Sequence, residues 1–72
     1  MNLYLLTRAD DAGYDEYVGF VVAAPSEGAA RKTVQSWAKE PEGTWSREAK
    51  CARIGRAARG VQGILLDSFR AG

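Results

Sequence analysis

Two apolar segments of strand length lie close together near the N-terminus, and this pairing constrains the fold more than any other sequence feature. Residues 2–8 alternate so that both faces of a strand are largely apolar, and residues 16–24 repeat this pattern. The stretch 9–13 between them contains Asp and Gly, which favour a turn. The spacing therefore predicts a β-hairpin, with the first strand central in its sheet.

A helix is predicted to follow the hairpin. Pro25 ends the second strand, Ser26 is a favourable N-cap, and Glu27 lies in the first turn, where the helix dipole stabilises a carboxylate. Pro41 ends the helix, and residues 40–43 form a loop. Four residues at positions i, i+4, i+7 and i+8 form one apolar stripe that we expect to pack on the sheet: Ala30, Val34, Trp37 and Ala38.

Two further segments complete the chain. Residues 50–56 fit a strand, although the nearby alanines would equally support a short helix. Gly55 and Gly60 each cost a helix about 1 kcal/mol, so we favour the strand. Residues 63–69 are predicted to form a final strand that is apolar on both faces, and residues 60–63 a hairpin turn before it.

The resulting order ββαββ predicts an α+β fold. We expect residues 1–72 to form a single domain in which a four-stranded antiparallel sheet carries one helix on one face. The first and last strands are the most apolar, so we place them at the centre. If the helix covers the face with Val18, Phe20 and Val22, the opposite face would expose another apolar patch, made of Tyr4, Tyr17 and Val21.

The composition argues against catalysis. The chain has one cysteine, Cys51, and no histidine, so an internal disulfide, most metal sites and Ser-His-Asp triads are excluded. We therefore expect no enzyme activity, no cofactor and no metal, and a packed rather than reactive Cys51. The longest apolar run, Val18–Ala24, is too short to cross a membrane, and no signal peptide is recognisable, so we expect a cytoplasmic protein.

An acidic segment is the first candidate for partner binding. Carboxylates and tyrosines interleave there, and such a surface suits a basic protein partner: Asp10, Asp11, Tyr14, Asp15, Glu16 and Tyr17. The alternative is a solvated hairpin turn. Trp45 follows in a loop, where it is either a lid over the core or an anchor at an interface.

A basic stretch is the second candidate. Residues 44–72 carry six Lys/Arg against two Asp/Glu, whereas residues 1–43 carry four against seven. The candidates for nucleic-acid contact are Arg47, Arg53, Arg56 and Arg59. However, a three-residue period scatters side chains over both faces of a strand. We therefore favour charges that solubilise an edge strand, and we rank nucleic-acid binding second.

Several segments, in this order, resemble a group of short proteins encoded by phages and prophages. The similarity covers nearly the whole chain, except that the region between helix and third strand is shorter here. The matching pieces are Leu3-Tyr4-Leu5-Leu6, Gly13-Tyr14-Asp15-Glu16-Tyr17, Val21-Val22-Ala23-Ala24, Ser26-Glu27-Gly28-Ala29-Ala30-Arg31, Trp45, Ile54-Gly55-Arg56-Ala57 and the residues from Gly63 to Gly72.

The resemblance implies an accessory phage protein that acts in the bacterial host cytoplasm. Small phage proteins of this build include anti-CRISPR proteins, so the leading hypothesis is an inhibitor that binds a Cas effector subunit. A net charge of only +1 does not suit mimicry of DNA over the whole surface, so we expect local contact through the acidic segment. The alternatives are a small nucleic-acid-binding accessory protein and a virion or assembly protein, each as a monomer or a homodimer.

Overall fold

The helix and strands follow the predicted order. The computed structural model describes residues 1–8 and 16–70, without the side chains of residues 16, 17 and 67–70. The elements are β1 (Asn2–Thr7), β2 (Glu16–Ala24), α1 (Glu27–Ala38), one π-helical turn (Thr44–Glu48), β3 (Lys50–Arg56) and β4 (Gly63–Arg70). The ambiguous segment 50–56 is therefore a strand, with the predicted bounds.

The four strands form one antiparallel sheet in the order β3-β1-β2-β4, with α1 packed on it, which confirms the α+β prediction. β1 is central and β3 is an edge strand, as expected. The central position predicted for β4 is wrong, because β4 pairs with β2 at the other edge. The apolar residues on both faces of β4 reflect an exposed sheet face and not a central position.

The connection between β3 and β4 runs from one edge of the sheet to the other. The hairpin turn predicted at residues 60–63 is therefore wrong, because β3 and β4 are not neighbours. Residues 57–62 instead cross the end of the sheet where β1 begins, and the Ala57 N–H donates to the Met1 carbonyl oxygen at 2.8 Å. Gly60 and Gly63 both have φ of +87°, which glycine adopts without strain.

The hydrophobic core lies between α1 and one face of the sheet. Strand register places Tyr4 opposite Val22 and Leu6 opposite Phe20, and all four side chains are buried there. The expectation that Tyr4 lies on an exposed patch is therefore wrong, because β1 and β2 pair in a register that puts Tyr4 under the helix.

The helix begins as predicted but does not bury its whole stripe. The Ser26 side chain accepts a hydrogen bond from the Ala29 N–H at 3.2 Å. Ala30, Val34 and Ala38 are buried, whereas Trp37 is 47% exposed, so its assignment to the core is wrong.

Candidate functional site

Trp45 lies in the core, and a short π-helical turn holds it there. Its side chain is fully buried and packs edge-on against Phe20, with the ring centroids 4.9 Å apart. Trp37 approaches Phe20 at 5.9 Å, also edge-on, but stays half exposed because Trp45 occupies the covered position. Of the two interpretations of Trp45, lid over the core and anchor at an interface, the structure supports the lid. The prediction that Trp45 contacts a partner is wrong, because its side chain has no accessible surface.

A polar network fixes this turn to α1. The Gln35 side-chain oxygen accepts hydrogen bonds from the backbone N–H groups of Trp45 (2.8 Å) and Ser46 (3.1 Å). The Gln35 side-chain nitrogen donates to the carbonyl oxygens of Glu40 (2.9 Å) and Pro41 (3.2 Å). One side chain thus bonds four backbone groups of the loop after α1 and the first residues of the π-helical turn.

A buried ion pair closes the same end of the core. The Arg8 guanidinium donates to Glu40 Oε1 at 2.8 Å, and the side chains are 7% and 9% exposed. The same oxygen accepts the Trp45 indole N–H at 3.1 Å. This arrangement connects the end of β1 to the loop after α1. The side chains of Arg8 and Glu40 therefore stabilise the fold.

The face of the sheet opposite α1, which we name the open face, exposes apolar side chains around Leu5 and Leu66, whereas Ala23 towards the end where β1 begins is buried. Register pairs Leu5 with Val21, and Val21 with Leu66, on this side. Leu66 is 64% exposed and Leu5 is 38% exposed. The open face is therefore an apolar surface in contact with solvent.

A strand irregularity adds Val18 to this surface. The alternation of β2 predicts Val18 on the core face with Phe20 and Val22. The β2–β4 register instead shifts between Tyr17 and Gly19, and Val18 is half exposed. Val18, Leu5 and Leu66 line a shallow groove of about 230 Å³ on the open face.

The chemistry of the open face is almost entirely apolar. Among its described side chains, the charged one is Lys50, which pairs with Thr7 at one end of the sheet. The sequence pattern did not indicate Leu5, Leu66 and Val18 as site residues. One signal for them was present in the sequence: a single helix can cover only one face of the sheet, whereas two strands are apolar on both of their faces.

The acidic segment lies mostly outside the described residues. Residues 10, 11, 14 and 15 are not described, and at 16 and 17 only the backbone is, within β2. The contact predicted for this segment therefore stays a prediction.

The predicted arginines do not form one cluster. Arg47 lies in the π-helical turn, where its guanidinium packs beside the backbone of Gly43. Arg53 and Arg56 lie on β3, and Arg59 lies in the connection to β4, all three exposed. The scattering expected from the three-residue period is wrong for Arg53 and Arg56, which pair with Tyr4 and Asn2 on the same side of the sheet.

The described residues contain no assembled catalytic centre. Burial, with a contribution from the Glu27 carboxylate, raises the pKa of the Cys51 thiol, so the group stays protonated and unreactive near neutral pH. No group of three or more acidic or thiol side chains within residues 1–8 and 16–70 is placed to hold a metal ion.

No helix within the described part of the chain is long and apolar enough to cross a membrane. No protein-family model matches the chain, and neither a curated protein nor a solved structure shows significant similarity to it.

Proposed function

We propose that this chain is a protein-binding domain and that the open face is its contact surface. The observation that carries the proposal is an uncovered, apolar sheet face centred on Leu5, Val21 and Leu66. The largest apolar patch on the surface of a monomeric protein is often functional. Among the described polar side chains, those of Arg8, Gln35 and Glu40 hold the fold together.

The composition of the open face indicates the chemistry of the partner. Its centre requires an apolar cluster on the other protein, because the groove between Leu5, Val18 and Leu66 offers no polar anchor. Lys50 at one end favours a carboxylate on the partner's rim. The partner is therefore a protein with an apolar patch that has acidic residues at its border.

Two other ligand classes fit the open face poorly. A groove of about 230 Å³ is smaller than the pockets of about 300–1,000 Å³ that enclose small molecules, and its surface is almost wholly apolar, with Thr7 as the polar side chain among its lining residues. No aromatic side chain among the described open-face residues is available to stack on nucleic-acid bases.

The narrower proposal is that the partner is a Cas effector subunit and that the chain is a phage-derived inhibitor acting in the bacterial cytoplasm. Its support is the resemblance of the segments quoted above to phage proteins. Binding over a partner's working surface would inhibit by occlusion and requires no catalysis. The carboxylates of Asp10, Asp11, Asp15 and Glu16 would then add a second contact, to basic residues of the effector.

The test compares three versions of the tagged protein in lysate from a bacterium with an active CRISPR system. These are the wild type, Leu66→Arg and a matched control, Ile54→Arg. Ile54 is also apolar and 53% exposed, but it lies on β3 at the opposite edge of the sheet. Proteins recovered by each version are quantified by mass spectrometry.

We expect wild type and Ile54→Arg to recover the same protein at stoichiometric yield, and Leu66→Arg to lose it at least tenfold. Recovery of a Cas effector, followed by loss of its DNA binding when the purified chain is added, supports the narrower proposal. Recovery of a different protein rejects the inhibitor and keeps the binding domain. If no recovered protein depends on Leu66, the open face is not the interface.

A further inference from the structure

A β-bulge brings two arginines together on the edge strand β3. In a regular strand, residues three apart point to opposite faces. The β1–β3 register shifts between Leu3 and Tyr4, so that Arg53 pairs with Tyr4 and Arg56 with Asn2. Because Asn2 and Tyr4 are two residues apart on β1, their partners share one face, and their Cα atoms lie roughly 7 Å apart.

The two arginines lie on the same side of the sheet as α1, beyond the part of the core that α1 covers. Arg53 and Arg56 are both exposed, and so is Arg59 in the connection that follows β3. We name Arg53, Arg56 and Arg59 the arginine ridge. Its two strand residues, Arg53 and Arg56, lie on the other side of the sheet from the groove of the open face.

The arginine ridge is not neutralised by the described part of the protein. None of its three guanidinium groups makes an ion pair with a described carboxylate. The carboxylate of α1 that acts on β3 is Glu27, through its effect on Cys51, and it already pairs with Arg31 at 2.8 Å. Residues 49–66 contain four Lys/Arg and no Asp/Glu. Within the described residues, the ridge is therefore positive charge that no carboxylate pairs with.

The side chains of the ridge suit phosphate groups. All three are arginines, whose planar donors match phosphate oxygens, and equally carboxylates, in a bidentate arrangement, so the strand itself must distinguish the two ligands. An edge strand with a bulge is a poor template for pairing with an extended acidic peptide, because the bulge interrupts the row of backbone groups. Tyr4, the aromatic residue that pairs with Arg53, is buried and cannot stack on a base, so the contact is with the backbone and not with the bases.

We propose that the arginine ridge binds the phosphate backbone of double-stranded nucleic acid, without sequence preference. This goes beyond the proposed protein-binding function and uses a different side of the sheet. Three arginine contacts correspond to a slope of about −3 in log K against log salt concentration.

The experiment measures fluorescence anisotropy of a labelled 20-base-pair DNA duplex at three salt concentrations, from about 50 to 200 mM KCl, where phosphate contacts lose affinity steeply. Four proteins are compared: wild type, Arg53→Gln/Arg56→Gln, Arg53→Lys/Arg56→Lys and Lys32→Gln/Lys39→Gln. The last removes the same charge from exposed positions of α1 and its C-cap. Thermal unfolding of each variant confirms that it is folded.

Removal of Arg53 and Arg56 should flatten the salt slope by about 2 and weaken binding at least tenfold at the lowest salt. The lysine replacement should keep the slope, and the α1 variant should stay within about twofold of wild-type affinity. Absence of DNA binding at low salt, or equal losses in the β3 and α1 variants, would overturn the proposal. Tighter binding to a polyglutamate peptide than to DNA would also overturn it, in favour of an acidic protein. Leu66→Arg should leave DNA binding unchanged, which separates this result from the proposed function.

Discussion

Gln35 is the residue on which the position of the π-helical turn depends. Its side chain makes four hydrogen bonds to backbone groups of residues 40–46, at 2.8–3.2 Å. Each such bond contributes about 0.5–1.5 kcal/mol net, but the freed backbone groups can bind water once the turn loosens. We therefore expect Gln35→Ala to lower the free energy of unfolding by about 2 kcal/mol.

Urea unfolding measures this loss, and fluorescence shows where it acts. In a Trp37→Phe background the remaining tryptophan, Trp45, reports on the turn alone, and its emission should shift to the red in Gln35→Ala. Ser36→Ala is the matched control, because Ser36 is exposed on the same helix and should change stability by less than about 0.5 kcal/mol. Equal stability of the two variants would mean that the network does not hold the turn.

The two tryptophans show how far the burial of a single residue can be predicted from the sequence. Trp37 lies on a regular helical stripe, yet it is half exposed, whereas Trp45 lies in no periodic pattern and is fully buried. Periodicity places a side chain on a face but does not tell which large ring fills a limited core volume. That outcome depends on Gln35 and Glu40, whose hydrogen bonds no local pattern indicates.

At the scale of elements, one helix covers one face of a sheet whose central strand is apolar on both. Leu5 and Leu6 are neighbours on β1, but Leu6 is fully buried under α1 and Leu5 lies on the open face. We expect Leu6→Ala to cost about 2–5 kcal/mol, because it leaves a cavity in the core. Leu5→Ala should cost less than about 1 kcal/mol.

The free energies of unfolding of these two variants can be compared in urea, with the same substitution at adjacent positions as an internal control. Similar large losses at both positions would show that the open face is packed in solution, against a described or an undescribed part of the chain. The open face would then not be available to a partner.

The elements themselves follow from the sequence, whereas their pairing does not. The strand bounds at 50–56 and the Ser26 cap depend on local preferences, so local patterns predicted them. Register is a property of two strands, and one bulge reverses which face a side chain takes. The bulges at Val18 and Ile54 therefore moved Val18 onto the open face and joined Arg53 with Arg56, and neither has a sequence signature here.

At the scale of the whole molecule, the two proposed surfaces do not compete. The groove of the open face lies on one side of the sheet, and the arginine ridge lies on the α1 side of β3. Because they are separated, a protein and a nucleic-acid duplex can be bound together. This arrangement suits a partner that itself works on nucleic acid, since the ridge would then contact the partner's own ligand.

The oligomeric state distinguishes a foreign partner from a second copy of the chain on the open face. Leu5, Val18, Val21 and Leu66 together expose apolar area on the order of 300 Å². A stable interface buries about 800 Å² on each side, so with either occupant the contact must extend beyond these four residues. Two copies facing each other would also bring Lys50 to an interface that offers it no described carboxylate. We therefore expect a monomer in sedimentation velocity at about 100 μM, a concentration at which a dimer of micromolar affinity would be populated. If the protein is a dimer, and Leu66→Arg dissociates it while Ile54→Arg leaves it intact, then a second copy occupies the open face. The two variants distinguish the sites because Leu66 lies on the open face and Ile54 lies at the opposite edge of the sheet.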